Sequence, residues 1–142
     1  MAAIATTQTE RVAFKKIPQA GLIAAVTAAV LNVVIYFIGN AMGGMKLPLT
    51  PVLVAVFSIL GITIGGVIFA LLGRFTKRPI TIFTIISIVF LVLYAFAPIN
   101  AMSSSPMPGM EPFNITTTIA TELMHLVAGA LAIWSYTTRA RA

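Results

Sequence analysis

Cysteine and aspartate are absent from this chain, and glutamate occurs only at Glu10, Glu111 and Glu122. The first absence removes disulfides, thiol catalysis and thiolate metal ligation, while leaving the redox compartment open. The shortage of carboxylates removes the paired internal acids of acid–base catalysis and the several carboxylates of a dinuclear metal bundle. With a single histidine, His125, there is no HExxH motif, and no glycine-rich phosphate loop occurs. Charge is scarce as well: 8% of the 142 residues are charged against 59% hydrophobic, and mean hydropathy is +1.04. That composition makes lipid, not water, the expected solvent.

What charge there is has one dominant sign and a pattern. Nine basic residues against three acidic ones give a formal net charge of +6. The cations lie in short groups beside apolar stretches instead of along one nucleic-acid-sized surface, so anionic lipid headgroups are the expected partners and nucleic acid is not. Arg11, Lys15 and Lys16 precede a long apolar run and superficially resemble the start of a signal peptide. No charge appears from Ile17 to Met45, however, which exceeds a signal-peptide core and favours a retained helix.

Four apolar stretches follow, at about residues 18–40, 49–72, 80–99 and 114–137, each long enough to cross a hydrocarbon layer of roughly 30 Å. Backbone groups in lipid must be satisfied within a helix or a closed barrel, and runs this long and continuous exceed barrel strands. The expected fold is therefore all-α, a polytopic four-transmembrane-helix bundle. It comprises an N-terminal segment 1–17, one membrane domain 18–137 and a C-terminal tail 138–142. Arg11, Lys15, Lys16, Arg74, Lys77, Arg78, Arg139 and Arg141 would share one side, leaving Lys46 and Glu111 on the other. The positive-inside rule then predicts a multi-pass plasma-membrane protein with both termini cytoplasmic.

Small residues at four-residue spacing, Ala24/Ala28, Ala25/Ala29, Gly61/Gly65 and Ala128/Ala132, mark faces for close helix approach or for an oligomer contact. Gly65-Gly66 allows a bend or a close crossing. Trp134 and Tyr136 are expected in an interfacial aromatic belt.

Glu122 is the only charged residue inside an apolar stretch, and His125 follows it at i,i+3 on neighbouring parts of one helical face. Counted from the outer end, Glu122 lies roughly 10 Å and His125 roughly 15 Å into the fourth helix at 1.5 Å per residue. Asn32, roughly 21 Å into the first helix from the other side, reaches a depth comparable to that of Glu122 on a slab roughly 30 Å thick. An ionised carboxylate facing lipid is costly, so Glu122 is expected to turn inward and pair, meet water or carry a proton. Glu122, His125 and Asn32 are thus the ligand- or proton-binding candidates, with Tyr94 a further candidate lining an outer-facing pocket. Glu122-Leu-Met-His125 has the Glu-x-x-His spacing of carboxylate-bridged metal bundles, but one copy without further internal carboxylates does not make such a site.

On the outer side stand Met42, Met45, Met102, Met107 and Met110. Thioethers suit soft Cu(I), which makes Met107 and Met110 weak metal candidates, whereas packing is the ordinary use of methionine. No cofactor is expected beyond bound lipid. Ser103 to Gly109 reads as an irregular connection capping the bundle, and Asn114-Ile-Thr fits an N-glycosylation pattern at the membrane edge.

Leu123-Met124-His125-Leu126-Val127-Ala128-Gly129, together with Leu31-Asn32-Val33-Val34-Ile35-Tyr36, resembles a family of small, uncharacterised bacterial integral membrane proteins with four predicted spans. That resemblance covers nearly the whole chain. It implies the four-span fold and interest in Asn32 and His125 without implying an activity. The leading expectation is a non-enzymatic accessory or structural subunit that binds lipid or a hydrophobic partner, alone, as a homo-oligomer or in a larger membrane complex. The alternative is a small transporter or proton-coupled channel component using Glu122 and His125. An outer-face copper protein and an intramembrane enzyme come behind both.

Overall fold

Proline opens three of the four helices, where its missing N–H costs nothing because the first-turn amides have no intrahelical acceptor. In the computed structural model, which describes residues 9–46, 49–106 and 108–142, α1 is Ile17–Gly43, α2 Pro51–Phe75, α3 Pro79–Asn100 and α4 Ile115–Trp134. Pro18, Pro51 and Pro79 sit at the starts of the first three. Thr50 caps α2 by accepting from the Leu53 N–H at 3.3 Å. Asn114 caps α4 by accepting from the Thr117 N–H at 2.8 Å. A 3-10 turn, Phe14–Lys16, leads into α1, and a π-helical segment, Ser135–Arg139, continues α4. All four helices are long and apolar enough to cross a membrane, and the protein is all-helical, with one isolated bridge, Val12 to Arg141, among the described residues.

Consecutive helices run antiparallel, so the α2–α3 turn and both ends of the described chain meet at one end of the bundle. The Glu10 N–H donates to Lys77 O at 3.2 Å, and Ala13 N to Ala140 O at 2.8 Å. That end holds the eight grouped cations. Lys46 and Glu111 form an ion pair at the opposite end.

Small residues on α1 face large ones elsewhere. Ala20, Ala24, Ala25 and Ala28 are buried against a cluster that contains Phe69, Phe83 and Tyr136. The three rings meet with centroids 5.1 to 5.8 Å apart, one pair stacked and two edge-on, as aromatic quadrupoles favour. Because lipid tails are as apolar as these side chains, close packing and hydrogen bonding hold the helices together instead of an exclusion of water.

Tyr136 departs from its expected place. It is 1% exposed, and its hydroxyl donates to Ile62 O at 2.8 Å, whereas Trp134 is exposed with the Arg139 guanidinium 4.7 Å above its ring. The π-helical segment carries both Ser135 and Tyr136 inward, and Ser135 Oγ donates to Ala20 O at 2.7 Å. Gly21 and Gly66 make the room, since a Cβ on them would stand 2.8 and 2.5 Å from the Tyr136 hydroxyl. A Cβ on Gly61, by contrast, would meet nothing within 4 Å, and one on Gly65 would stand 3.8 Å from the Tyr136 ring and 4.0 Å from Phe83; Gly66 supplies the closest approach. α3 is the least embedded helix, burying Pro79, Phe83 and Pro98.

Candidate functional site

The antiparallel contacts between α1 and α4 set the level of each polar side chain. Ser135 bonds to Ala20, and Gly39 lies against Ala120, where a Cβ would stand 3.3 Å from the alanine methyl. Counting twelve residues up from Ala20 and seven back from Gly39, both to Asn32, gives positions between about 123 and 127 on α4, since both helices rise equally per residue. His125 is in the middle of that interval.

Asn32 is 4% exposed, and its Nδ2 donates to Ser58 Oγ on α2 at 2.9 Å. Ser58 Oγ in turn donates to Val54 O at 2.8 Å, so the hydroxyl both accepts and donates. On the other side of the level, the Tyr94 ring of α3 meets the His125 ring edge-on, with centroids 4.5 Å apart, and Phe90 stacks on Tyr94 at 5.3 Å. Glu122 stands one turn from His125, toward the Lys46 end. No hydrogen bond joins Glu122 to His125, nor Asn32 to either, among the described residues.

What these residues lack is informative. Among the described residues, the buried side-chain polar atoms without a partner are Asn32 Oδ1, Glu122 Oε1 and His125 Nδ1. Buried polar atoms are satisfied in the great majority of cases, because stripping water from one without replacing it costs about 1–3 kcal/mol. Here the exceptions fall on Asn32 and His125, which share a level, and on Glu122 one turn along α4. They are an amide oxygen acceptor, an imidazole nitrogen and a carboxyl oxygen, the first beside α2 and the second beside α3.

Tyr94 therefore joins His125, and Asn32 joins Ser58, a residue that sequence reasoning missed. Ser58 lies on the buried face Val54, Ser58, Ile62, Gly66 and Phe69 of α2, a near-fourfold spacing that was available as a signal. Of the methionine candidates, Met110 is half-buried near the Lys46 end and Met107 lies outside the described residues. Met45 is turned onto Gly39, where a Cβ would meet its sulfur at 2.7 Å, an ordinary gap-filling use. Asn114 uses its amide on both sides, accepting from Thr117 and donating from Nδ2 to Gly44 O at 2.9 Å, which leaves little of it for a glycan.

A second constellation, at the basic end, was also missed. The Glu10 carboxylate accepts from the Ile80 and Thr81 N–H groups at 2.8 and 3.0 Å and from the Thr81 hydroxyl at 2.5 Å. It thus caps α3 from outside the helix. Desolvation pushes the Glu10 carboxyl up, but the Thr81 and Ile80 hydrogen bonds and the Arg141 charge together hold it below its ordinary range. At the other end, a hydrogen bond from Lys46 and that residue's charge hold the exposed Glu111 carboxyl low as well.

A model of the family described as "Family of unknown function (DUF6069)" matches residues 12–142, and the chain belongs to that family. No match was found among curated proteins or among solved structures.

Proposed function

We propose that this family member is an integral membrane accessory or structural subunit without a reaction of its own, which holds a lipid or a hydrophobic partner at the Asn32–His125–Glu122 level. The observation carrying this reading is that the unpartnered buried polar atoms fall on Asn32 and His125, which share one level, and on Glu122 one turn away. An occupant with an apolar body and a polar group, or a polar side chain on a partner helix, would satisfy them. Such a partner is a second copy of this chain or a subunit of a larger complex. The grouping of cations at one end supports a plasma-membrane protein with both termini in the cytoplasm.

A second reading, a small transporter or proton-coupled channel component, is favoured by Glu122 and His125 standing on one helix with free proton-accepting atoms. The copper reading at Met107 and Met110 has no comparable support.

The test uses full-length protein isolated from its native membrane, with associated chains and lipids identified by mass spectrometry. Asn32→Leu and His125→Leu should each reduce one specific associated molecule about tenfold, the loss of roughly 1.4 kcal/mol expected for one hydrogen bond. Glu122→Gln should preserve that association, because an amide still accepts and donates. If the wild type carries a proton flux in vesicles that Glu122→Gln abolishes, the transport reading replaces the first. Unchanged association in all three variants, without flux, contradicts both.

A further inference from the structure

On the outer face between α1 and α2, at the basic end, lies an open groove of about 420 Å³. Ile17, Pro18 and Gly21 begin it, Ala25 and Ile59 end it, and its floor includes the Tyr136 ring. The groove exists for the same reason that Tyr136 is buried: Gly21 and Gly66 have no side chains to fill the space beside the ring. Ile17 and Ala25 are eight residues apart on α1, so the groove runs about 12 Å along the helix, close to half of a hydrocarbon layer roughly 30 Å thick. Its lining is almost wholly apolar, and the hydroxyl of Thr63 is turned back onto Ile59 O at 2.8 Å. Nothing in the groove seeks a polar ligand, and its volume falls within the roughly 300–1,000 Å³ range of small-molecule sites.

The charge in the segment that leads into the groove at Ile17 is of one sign from Arg11 onward. Lys15 and Lys16 immediately precede Ile17, are exposed, and have no carboxylate within ion-pair distance. The chain has only three glutamates: Glu10 is occupied with the start of α3, Glu111 with Lys46, and Glu122 lies within α4. Unneutralised lysines in the segment that leads into an apolar trough about 12 Å long, with Lys15 three residues before Pro18 on the same helical face, match a molecule with an anionic head and a hydrocarbon tail.

We propose that this groove is a binding site for one anionic phospholipid of the leaflet at the basic end, with an acyl chain along Gly21, Ala25, Gly66 and Ala70 and its phosphate beside Lys15 and Lys16. It is separate from the Asn32–His125 level and does not depend on what occupies that level. The lipid would act as a fixed filler between α1 and α2, distinct from the exchanging lipid around it.

Native mass spectrometry of the full chain tests this, with phosphatidylglycerol or phosphatidylcholine of identical acyl chains added after delipidation. The wild type should retain one phosphatidylglycerol per chain and about tenfold less phosphatidylcholine. Lys15→Gln with Lys16→Gln should remove that preference, and these exposed positions leave the fold intact. Ala70→Leu should lower retention of both lipids by filling the trough. Thr63→Leu, at an exposed position in the lining, gives a second filling variant should Ala70→Leu disturb packing. Equal retention of the two lipids, or a preference indifferent to the lysines, overturns the proposal. So does lipid retention unaffected by either filling variant, or a dimer that the filling variants dissociate without changing bound lipid, which would assign the trough to a second copy.

Discussion

Tyr136 shows how one side chain can organise a bundle in lipid. Its ring fills the space left by Gly21 and Gly66 and stacks on Phe69, and its hydroxyl is satisfied by a carbonyl of α2. Tyr136→Phe keeps the ring and removes one hydrogen bond, so it should lower stability by about 1 kcal/mol. Gly66→Ala should cost more, about 1–3 kcal/mol, because its methyl would meet the hydroxyl at 2.5 Å and the ring at 3.0 Å. In the Tyr136→Phe background that penalty should shrink, since part of the clash is gone, and unfolding in mild detergent would reveal the coupling as non-additivity. Only the close approach at Gly65-Gly66 was legible in the sequence, where an aromatic pair at the end of an apolar run reads as an interfacial belt. Trp134 does lie at the surface. The change of helical pitch over Ser135–Arg139, which no local propensity announces, decides that Tyr136 does not.

Among the elements, α3 is held in an unusual way. With few buried residues of its own, it is fastened at its start by Glu10, a residue some seventy positions away in sequence. A carboxylate at a helix N-terminus is worth about 0.3–1 kcal/mol, so Glu10→Gln should loosen the first turn of α3 while leaving α1, α2 and α4 unchanged. Hydrogen exchange at the Ile80 and Thr81 amides would measure it. The same contact predicts a pH dependence. Because the native carboxyl titrates below its ordinary value of 4.5, its stabilisation is complete above that value. It fades as pH falls below 4.5 and is gone once pH passes the native value. Exchange at these amides, normalised to intrinsic rates, should therefore accelerate with acidification in the wild type and not in Glu10→Gln. The four helices themselves were legible because continuous apolar runs broken by Pro, Gly and charge specify them almost alone. The clamp was not, because it depends on where the turn before α3 lies relative to a segment distant in sequence.

For the molecule as a whole, charge distribution and the depth of three polar residues carry the account. Eight cations at one end and the Lys46–Glu111 pair at the other follow directly from the order of spans and loops. Helix rise alone set Asn32 level with Glu122, whereas the contacts of α1 with α4 put it level with His125, one turn along. Which residues pair there could not be read from the sequence, because rotation about each helix axis depends on packing: Asn32 meets Ser58, His125 meets Tyr94, and Glu122 has no hydrogen-bond partner among the described residues. The absence of native cysteine makes single introduced cysteines clean reporters of sidedness. Labels at Thr9 and Arg141 should react from the same side of the membrane and a label at Lys46 from the other. The most direct test of the central claim is high-resolution imaging of the protein in its native lipid. The account predicts density from another molecule within hydrogen-bond reach of Asn32 Oδ1 or His125 Nδ1. A level filled only by this chain's own side chains, with Asn32, His125 and Glu122 satisfying one another, would contradict it.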